Sequence, residues 1–466
     1  MHSIALTIPS TQSTQPRALP ISGRALLALV TLVIVGVYAM PIQQNWMVSA
    51  QDHYATSVDD MEAAAVSGNL TRQASFLLLG LLGIVGMMMS ERSNLRISGW
   101  LGILCIAYVV WCGASVAWAT EPSISVRRIA VMLCEALAAV AFARHVTPKQ
   151  MVAITLACTL SWLGVGLLAE LSLGNFHPTD GEYRFSGIFH PNEMGVQCSI
   201  LIMAAVYLLP LVRPFQRPAI VAAIGVGTIF LLLTGSRTAI AVTVLCLTAG
   251  WLSVALAHRR YMRIVAFTWL VALMGLVFQS KLMSLLENTT AIGRADSDVA
   301  SLTGRIPLWD ELGTFIAERP WIGHGYGAFW TPDHIRAVSD RLTWSISSAH
   351  SSYVELALSV GYIGAVFCVL GFLVALGRSL QFESRAPRQG YAFIAMLLTC
   401  TLVSGLTETT FGIAGARPFF AMCAIALLTA KEGERPSDID EEVDAEQRPS
   451  FLGSDVTDLT PALMES

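Results

Sequence analysis

Long apolar runs separated by shorter polar ones make up most of the chain, and their lengths predict membrane helices. A stretch of roughly 20 mostly apolar residues suffices to cross a bilayer as a helix. Runs of that kind are Gly23–Ile42, Ala74–Ser90, Ile97–Ala119, Ile129–Ala143, Met151–Ala169, Met194–Val212 and Ala219–Leu233. They continue with Thr238–Ala257, Ile264–Phe278, Ser352–Leu376, Gly390–Leu406 and Phe411–Ala430. The pattern predicts an all-α polytopic membrane protein with about 12 transmembrane helices over residues 23–430. No small-residue cleavage site follows the first run, which therefore reads as a membrane helix and not a signal peptide. Residues 1–22, polar and rich in Ser, Thr and Pro, and the acidic tail 431–466 read as disordered ends.

Composition agrees with that pattern. Only 13% of residues are charged and 54% are hydrophobic, with a mean hydropathy of +0.60; soluble domains carry about 25% charged residues. The net charge of -4 arises largely in the tail, and nothing is basic enough to suggest a nucleic-acid partner. All nine cysteines fall inside apolar runs with no CxxC pair, which excludes a disulfide framework and a zinc site of the usual spacing. Lysines and arginines are densest in alternate short loops, such as Arg144/Lys149, Arg213/Arg217 and Arg378/Arg385/Arg388. The positive-inside rule then puts both termini in the cytoplasm and a large loop, 279–349, outside, before helix 10.

Three polar segments share that outer side: Gln43–Arg72, Leu171–Glu193 and Gln279–Ala349. The region from Ser301 to Gly364 is rich in arginine, histidine and tryptophan, and it is where chemistry is expected. A site can be assembled from Arg184 with His190 and Asn192, Arg237 after Thr234-Gly235-Ser236, Arg305 after Thr303-Gly304, and His350 followed by Tyr353 and Glu355. Guanidinium forks onto phosphate oxygens, and imidazole takes a proton near neutral pH, so the set suits transfer of a group from a phosphate-linked donor. Taken singly, each arginine is equally explained as an anchor for lipid headgroups, and a lone histidine is more often a cap or a carbonyl partner. Glu135, Glu193 and Glu408 are acids in or near lipid, each able to pair with an arginine. The glycine run Gly323–Gly327 follows Pro320-Trp321 with no strand before it, so a dinucleotide or phosphate loop fails on context. The acids Asp296, Asp298, Asp310 and Glu311 match no metal loop, and neither a metal nor a cofactor is expected.

These motifs, in this order, resemble the O-antigen ligase/polymerase superfamily, closest to ExoQ-like exopolysaccharide polymerases. The resemblance runs from Ser115–Trp118 and Arg127-Arg128, through Arg184, Phe189–Asn192 and Leu233–Arg237, to Thr303–Trp309, Glu318–Trp330 and Ala349–Gly364. It implies a GT-C-like fold and a metal-independent glycosyltransferase acting on the periplasmic side of the inner membrane. Its donor would be an undecaprenyl-pyrophosphate-linked glycan and its acceptor a second glycan, with a chain-length regulator as a candidate partner. Arg184, Arg237 and Arg305 would hold the pyrophosphate, and His350 would activate the acceptor hydroxyl. Ser351 stands where the family commonly has asparagine. Two other readings compete: ligation of a finished glycan to lipid A-core or another acceptor, and a flippase that moves a lipid-linked sugar without making a bond. The flippase is disfavoured because transporter sites lie near the bilayer midplane, whereas these polar residues gather at outer helix ends.

Overall fold

The computed structural model describes residues 23–39, 57–67, 70–89, 99–180, 183–255, 305–411 and 415–432. The predicted span Ile264–Phe278, Thr303-Gly304, residues 1–22 and the tail beyond Glu432 lie outside them. The described residues are helical and contain no strand. In chain order the helices are α1 (Gly23–Ala39), α2 (Val58–Ser67), α3 (Leu70–Met88), α4 (Gly99–Ala114), α5 (Pro122–His145), α6 (Pro148–Leu173) and α7 (Pro191–Leu208). There follow α8 (Arg217–Leu233), α9 (Arg237–Ala255), α10 (Arg305–Glu318), α11 (Pro332–Leu342), α12 (Ser352–Arg385), α13 (Tyr391–Ser404) and α14 (Ala416–Glu432).

Among the described residues, five helical segments are long and apolar enough to cross a membrane: α3, α4 with the turn after it, α6, α8 with the turn before it, and α12. Shorter apolar helices occupy parts of α1, α9, α13 and α14. The protein is thus a multi-pass membrane protein. All 14 residues of α13 are buried, as are nearly all of α7, and these two form the centre. A helix apolar all round needs such surroundings, because it has no polar face to turn to water. The peripheral helices instead show aliphatic side chains outward, Leu77, Leu78 and Leu81 on α3, Ile103 and Val110 on α4, Ile229 and Leu232 on α8. Such faces suit lipid. Between α3 and α5 a Cβ on Gly83 would stand 2.7 Å from the Ala138 nitrogen, so the missing side chain lets the two backbones touch.

α12 departs from expectation. The apolar run predicts one continuous helix, but Gly361 breaks it with φ 68° and ψ −176°. The backbone freed at the break is satisfied by the loop preceding it in the chain: Tyr362 N donates to Pro320 O at 2.8 Å, and His324 N donates to Leu358 O at 2.8 Å. The break therefore receives the Pro320–His324 turn.

Residues 305–358 form a small folded cap with its own core, in which Leu308, Leu312, Phe329, Trp330, Ile335, Val338 and Ile346 are buried. α2, inside a segment that showed no chemistry in the sequence, docks on α11 through Arg336, which pairs with Asp59 (2.9 Å) and Glu62 (2.7 Å). That guanidinium pulls the Glu62 carboxyl below its usual range.

Candidate functional site

At one end of the bundle the residues singled out in the sequence sort into two groups. Most cations of the cap are committed to holding it together. Arg319 donates to Trp118 O (3.1 Å), Arg341 pairs with Glu311, and the rings of His324 and His334 lie against the carbonyls of Phe315 (3.1 Å) and Phe329 (2.6 Å). Arg305 and His350 remain, at the two ends of the cap.

Arg184 and Arg305 are brought together through one carboxylate. Arg305 Nη2 donates to Glu408 Oε1 at 2.8 Å, and Asn192 Nδ2 donates to the same oxygen at 2.8 Å. Asn192 Oδ1 in turn accepts from Arg184 Nη2 at 2.7 Å, while Arg184 Nε donates to Thr234 O at 2.8 Å. The chain Arg184–Asn192–Glu408–Arg305 thus fixes two guanidiniums from distant parts of the sequence. The turn at Thr234 can pack so closely only because Gly235, with φ 59°, has no side chain; a Cβ there would stand 3.2 Å from Arg184 Nε. Arg237 begins α9 two residues later and is exposed, so the structure ties its turn to Arg184 through Thr234 O.

His350 sits in the left-handed region, with φ 46°. For a residue other than glycine that conformation is uncommon. Backbone pins on both sides hold it there. Ala349 N donates to Glu355 Oε2 (3.1 Å), Ala349 O accepts from Trp309 Nε1 (2.9 Å), and Ser352 N donates to Gly405 O (2.8 Å). Ser352 Oγ also accepts from Thr410 N at 2.6 Å, which fastens the turn to the strand of chain carrying Glu408. Buried Glu355 further accepts from Trp330 Nε1 at 2.9 and 3.0 Å. Glu355 therefore holds the backbone of the residue next to His350. The Tyr353 hydroxyl donates to Leu402 O at 2.9 Å, joining α12 to α13. His190 caps α7, its Nδ1 accepting from Asn192 N at 3.3 Å. Ser351 is buried, with its hydroxyl 3.5 Å from Gly405 O.

Burial pushes the His350 imidazole down to about 4, with Arg305 and His190 adding to the shift and Glu408 opposing it. The ring is then neutral at physiological pH, and a neutral imidazole can accept a proton. If His350 is the essential base, the acid limb of kcat/KM should fall near pH 4, whereas an unperturbed histidine would place it near about 6.5. Glu408→Gln removes the group that favours the imidazolium and should move the limb lower still. A pH–rate profile of both proteins checks this.

Glu408 is the residue whose importance was least visible in the sequence. It stood out as an acid near lipid able to pair with an arginine, which it does, but its role as the hub between Arg305 and Asn192 depends on the folding of Ser404–Phe411 onto α12. The turn formers of Gly405–Thr410 at the outer end of an apolar run were the available signal.

The described residues thus form an apolar helical bundle with arginines and a histidine gathered at one end, and residues 219–369 match the O-Antigen ligase family. That match covers about a third of the chain. The chain is similar to the exopolysaccharide production protein ExoQ of Rhizobium meliloti (strain 1021), 26% identical over 309 residues, which cover 62% of this chain and 68% of that protein. The matched family region contains Arg237, Arg305, His350, Tyr353 and Glu355, while Arg184, His190 and Asn192 precede it.

Proposed function

We propose that the protein is a glycosyltransferase that polymerises undecaprenyl-pyrophosphate-linked oligosaccharide units into exopolysaccharide, on the periplasmic side of the inner membrane. The observation that carries this reading is the linkage of Arg184, through Asn192, and of Arg305 to Glu408 beside a half-buried His350. Likeness to ExoQ favours the polymerase over the ligase, whose membrane acceptor would be lipid A-core.

In this reading the arginines bind the donor pyrophosphate and exchange their bonds to Glu408 and Asn192 for bonds to phosphate oxygens. His350 takes the proton from the acceptor hydroxyl as that oxygen attacks the anomeric carbon. The bond from that carbon to the pyrophosphate oxygen breaks, and the lipid pyrophosphate leaves with its charge held by Arg184, Arg305 and Arg237. Release returns the proton to solvent. Twelve membrane crossings, a GT-C-like arrangement and cytoplasmic termini complete the proposal.

The test is Arg305→Ala in cells whose polymer depends on this chain. Loss of about 10²-fold or more in polymer, with single lipid-linked units accumulating, supports a polymerase. Accumulation of long unattached lipid-linked chains points to the ligase instead, and unchanged polymer defeats both.

A further inference from the structure

A cavity in the bundle has neither His350 nor Glu408 in its lining. It is apolar, of about 320 Å³, and runs between α4, α5, α12 and α14, walled by residues such as Val109, Met132, Ala139, Cys368 and Ile425. Its lip includes Ile106, 50% exposed on the outward face of α4, so the cavity opens sideways where lipid would lie. Gly371 shows that the space is real: the residue is buried, yet a Cβ built on it would meet no atom within 4 Å.

The end of this cavity nearest the functional end is polar. Glu135 and Pro418 line it there, together with Tyr326. Along α5, Arg128 precedes Met132 by four residues and Glu135 by seven, on the same helical face and about two turns nearer that end. Arg128 is half-buried, makes no hydrogen bond or ion pair among the described residues, and lies against Gly327, where a Cβ would stand 3.1 Å from its Nη1. Arg417, beside Pro418, is 4% exposed. Its Nε lies 3.5 Å from Glu193 Oε1, and neither Nε nor Nη1 has a hydrogen bond. Arg72 is within electrostatic reach of Arg128, Glu135 and Glu193. Arg128 also lies within electrostatic reach of Glu355, so three guanidiniums and three carboxylates meet beyond this end; Arg417, buried with open N–H groups, is costly there without an acceptor.

The structure assigns this cavity, with the guanidiniums just beyond its lining, to a second prenyl-phosphate lipid: one hydrocarbon chain between α4, α5, α12 and α14, and a phosphoryl head reaching past Glu135 to Arg128 and Arg417. A single groove open along one side takes one chain, which fits a prenyl phosphate better than a two-chained glycerophospholipid. The assignment rests on the transferase reading and deepens it. The two sites flank the start of α7, where Asn192 meets the Arg184–Glu408 chain and the adjacent Glu193 meets Arg417. Two lipid-anchored glycans held on either side of α7 would present donor and acceptor to one histidine, as a polymerase requires and a ligase with a different acceptor does not.

The experiment counts undecaprenyl phosphate bound to the full chain in nanodiscs by native mass spectrometry. Wild type should bind two equivalents. Gly371→Leu fills the groove at a helical position that tolerates a side chain, and should bind one; Arg305→Ala should also bind one, and the double variant none. Arg128→Ala should weaken the second equivalent about tenfold, with Arg128→Lys recovering part of it. One equivalent in wild type that is lost in Arg305→Ala alone, two equivalents retained in Gly371→Leu, or equal displacement by phosphatidylglycerol overturns the assignment. If two equivalents bind but His350→Ala leaves the glycan product unchanged, the transferase reading fails and the lipid site stands. If the product depends on His350 and only one equivalent binds, the lipid site fails alone.

Discussion

Replacing His350 with alanine should lower glycan transfer by about 10²- to 10⁴-fold, the range a positioned general base contributes. The expectation follows from how much of the surrounding chain is devoted to this one side chain. Its backbone is held in the left-handed region with φ 46° by pins at Ala349 and Ser352, and its ring lies nearly parallel to Trp344, centroids 6.1 Å apart. Positive-φ strain of this kind costs on the order of 1–3 kcal/mol and persists only where neighbours over-determine it. Alanine relieves none of that strain, because it too carries a Cβ, so the fold should survive while turnover is lost. Single-turnover transfer from a purified lipid-linked donor, with thermal unfolding measured in parallel, separates the two. A protein that melts as wild type yet transfers at an undiminished rate would remove His350 from the chemistry.

The largest effect on stability is expected at Gly361. With φ 68° and ψ −176° it occupies a region open essentially to glycine alone. A Cβ there would collide with the backbone of Trp321 and Ile322. Gly361→Ala should cost about 3 kcal/mol or more, combining backbone strain with overpacking. Because the break receives the Pro320–His324 turn, the damage should spread to the cap and so to Trp330, Glu355 and His350. Thermal unfolding in detergent should show a clear fall in Tm, and tryptophan emission from buried Trp330 should shift toward that of exposed indole. A Tm within a degree of wild type would mean that the break does not anchor the cap.

Much of the helical layout was legible in the sequence because burying backbone polar groups in lipid requires long apolar helices, and those leave an unmistakable trace. What the trace omits is environment. α7 and α13 read the same as α3 or α8, though the first two are enclosed and the others face outward, since leucine suits protein and lipid alike. The break in α12 was hidden for a related reason: a single glycine in an apolar run does not announce a change of direction. Arg184, Arg305 and His350 stand out by residue type and position, and the structure links the two arginines to Glu408, one directly and one through Asn192, with His350 in electrostatic reach. Glu355 sits five residues from His350, off its helical face, yet holds the Ala349 N–H beside it, a backbone link that no spacing rule anticipates. The Tyr353 hydroxyl donates to the α13 backbone, a bond that no sequence pattern reveals.

The enclosure of α13 bears on how the chain enters its membrane. Its 14 residues rise only about 21 Å, short of the ~30 Å hydrocarbon layer. No flank of it is left for lipid. A segment this short gains little by partitioning alone and is stable mainly when received by helices already in place. Among the described helices only α14 emerges after it, so α6, α7, α9 and α12 are already synthesised when it leaves the ribosome, and the order of the sequence is also an order of assembly.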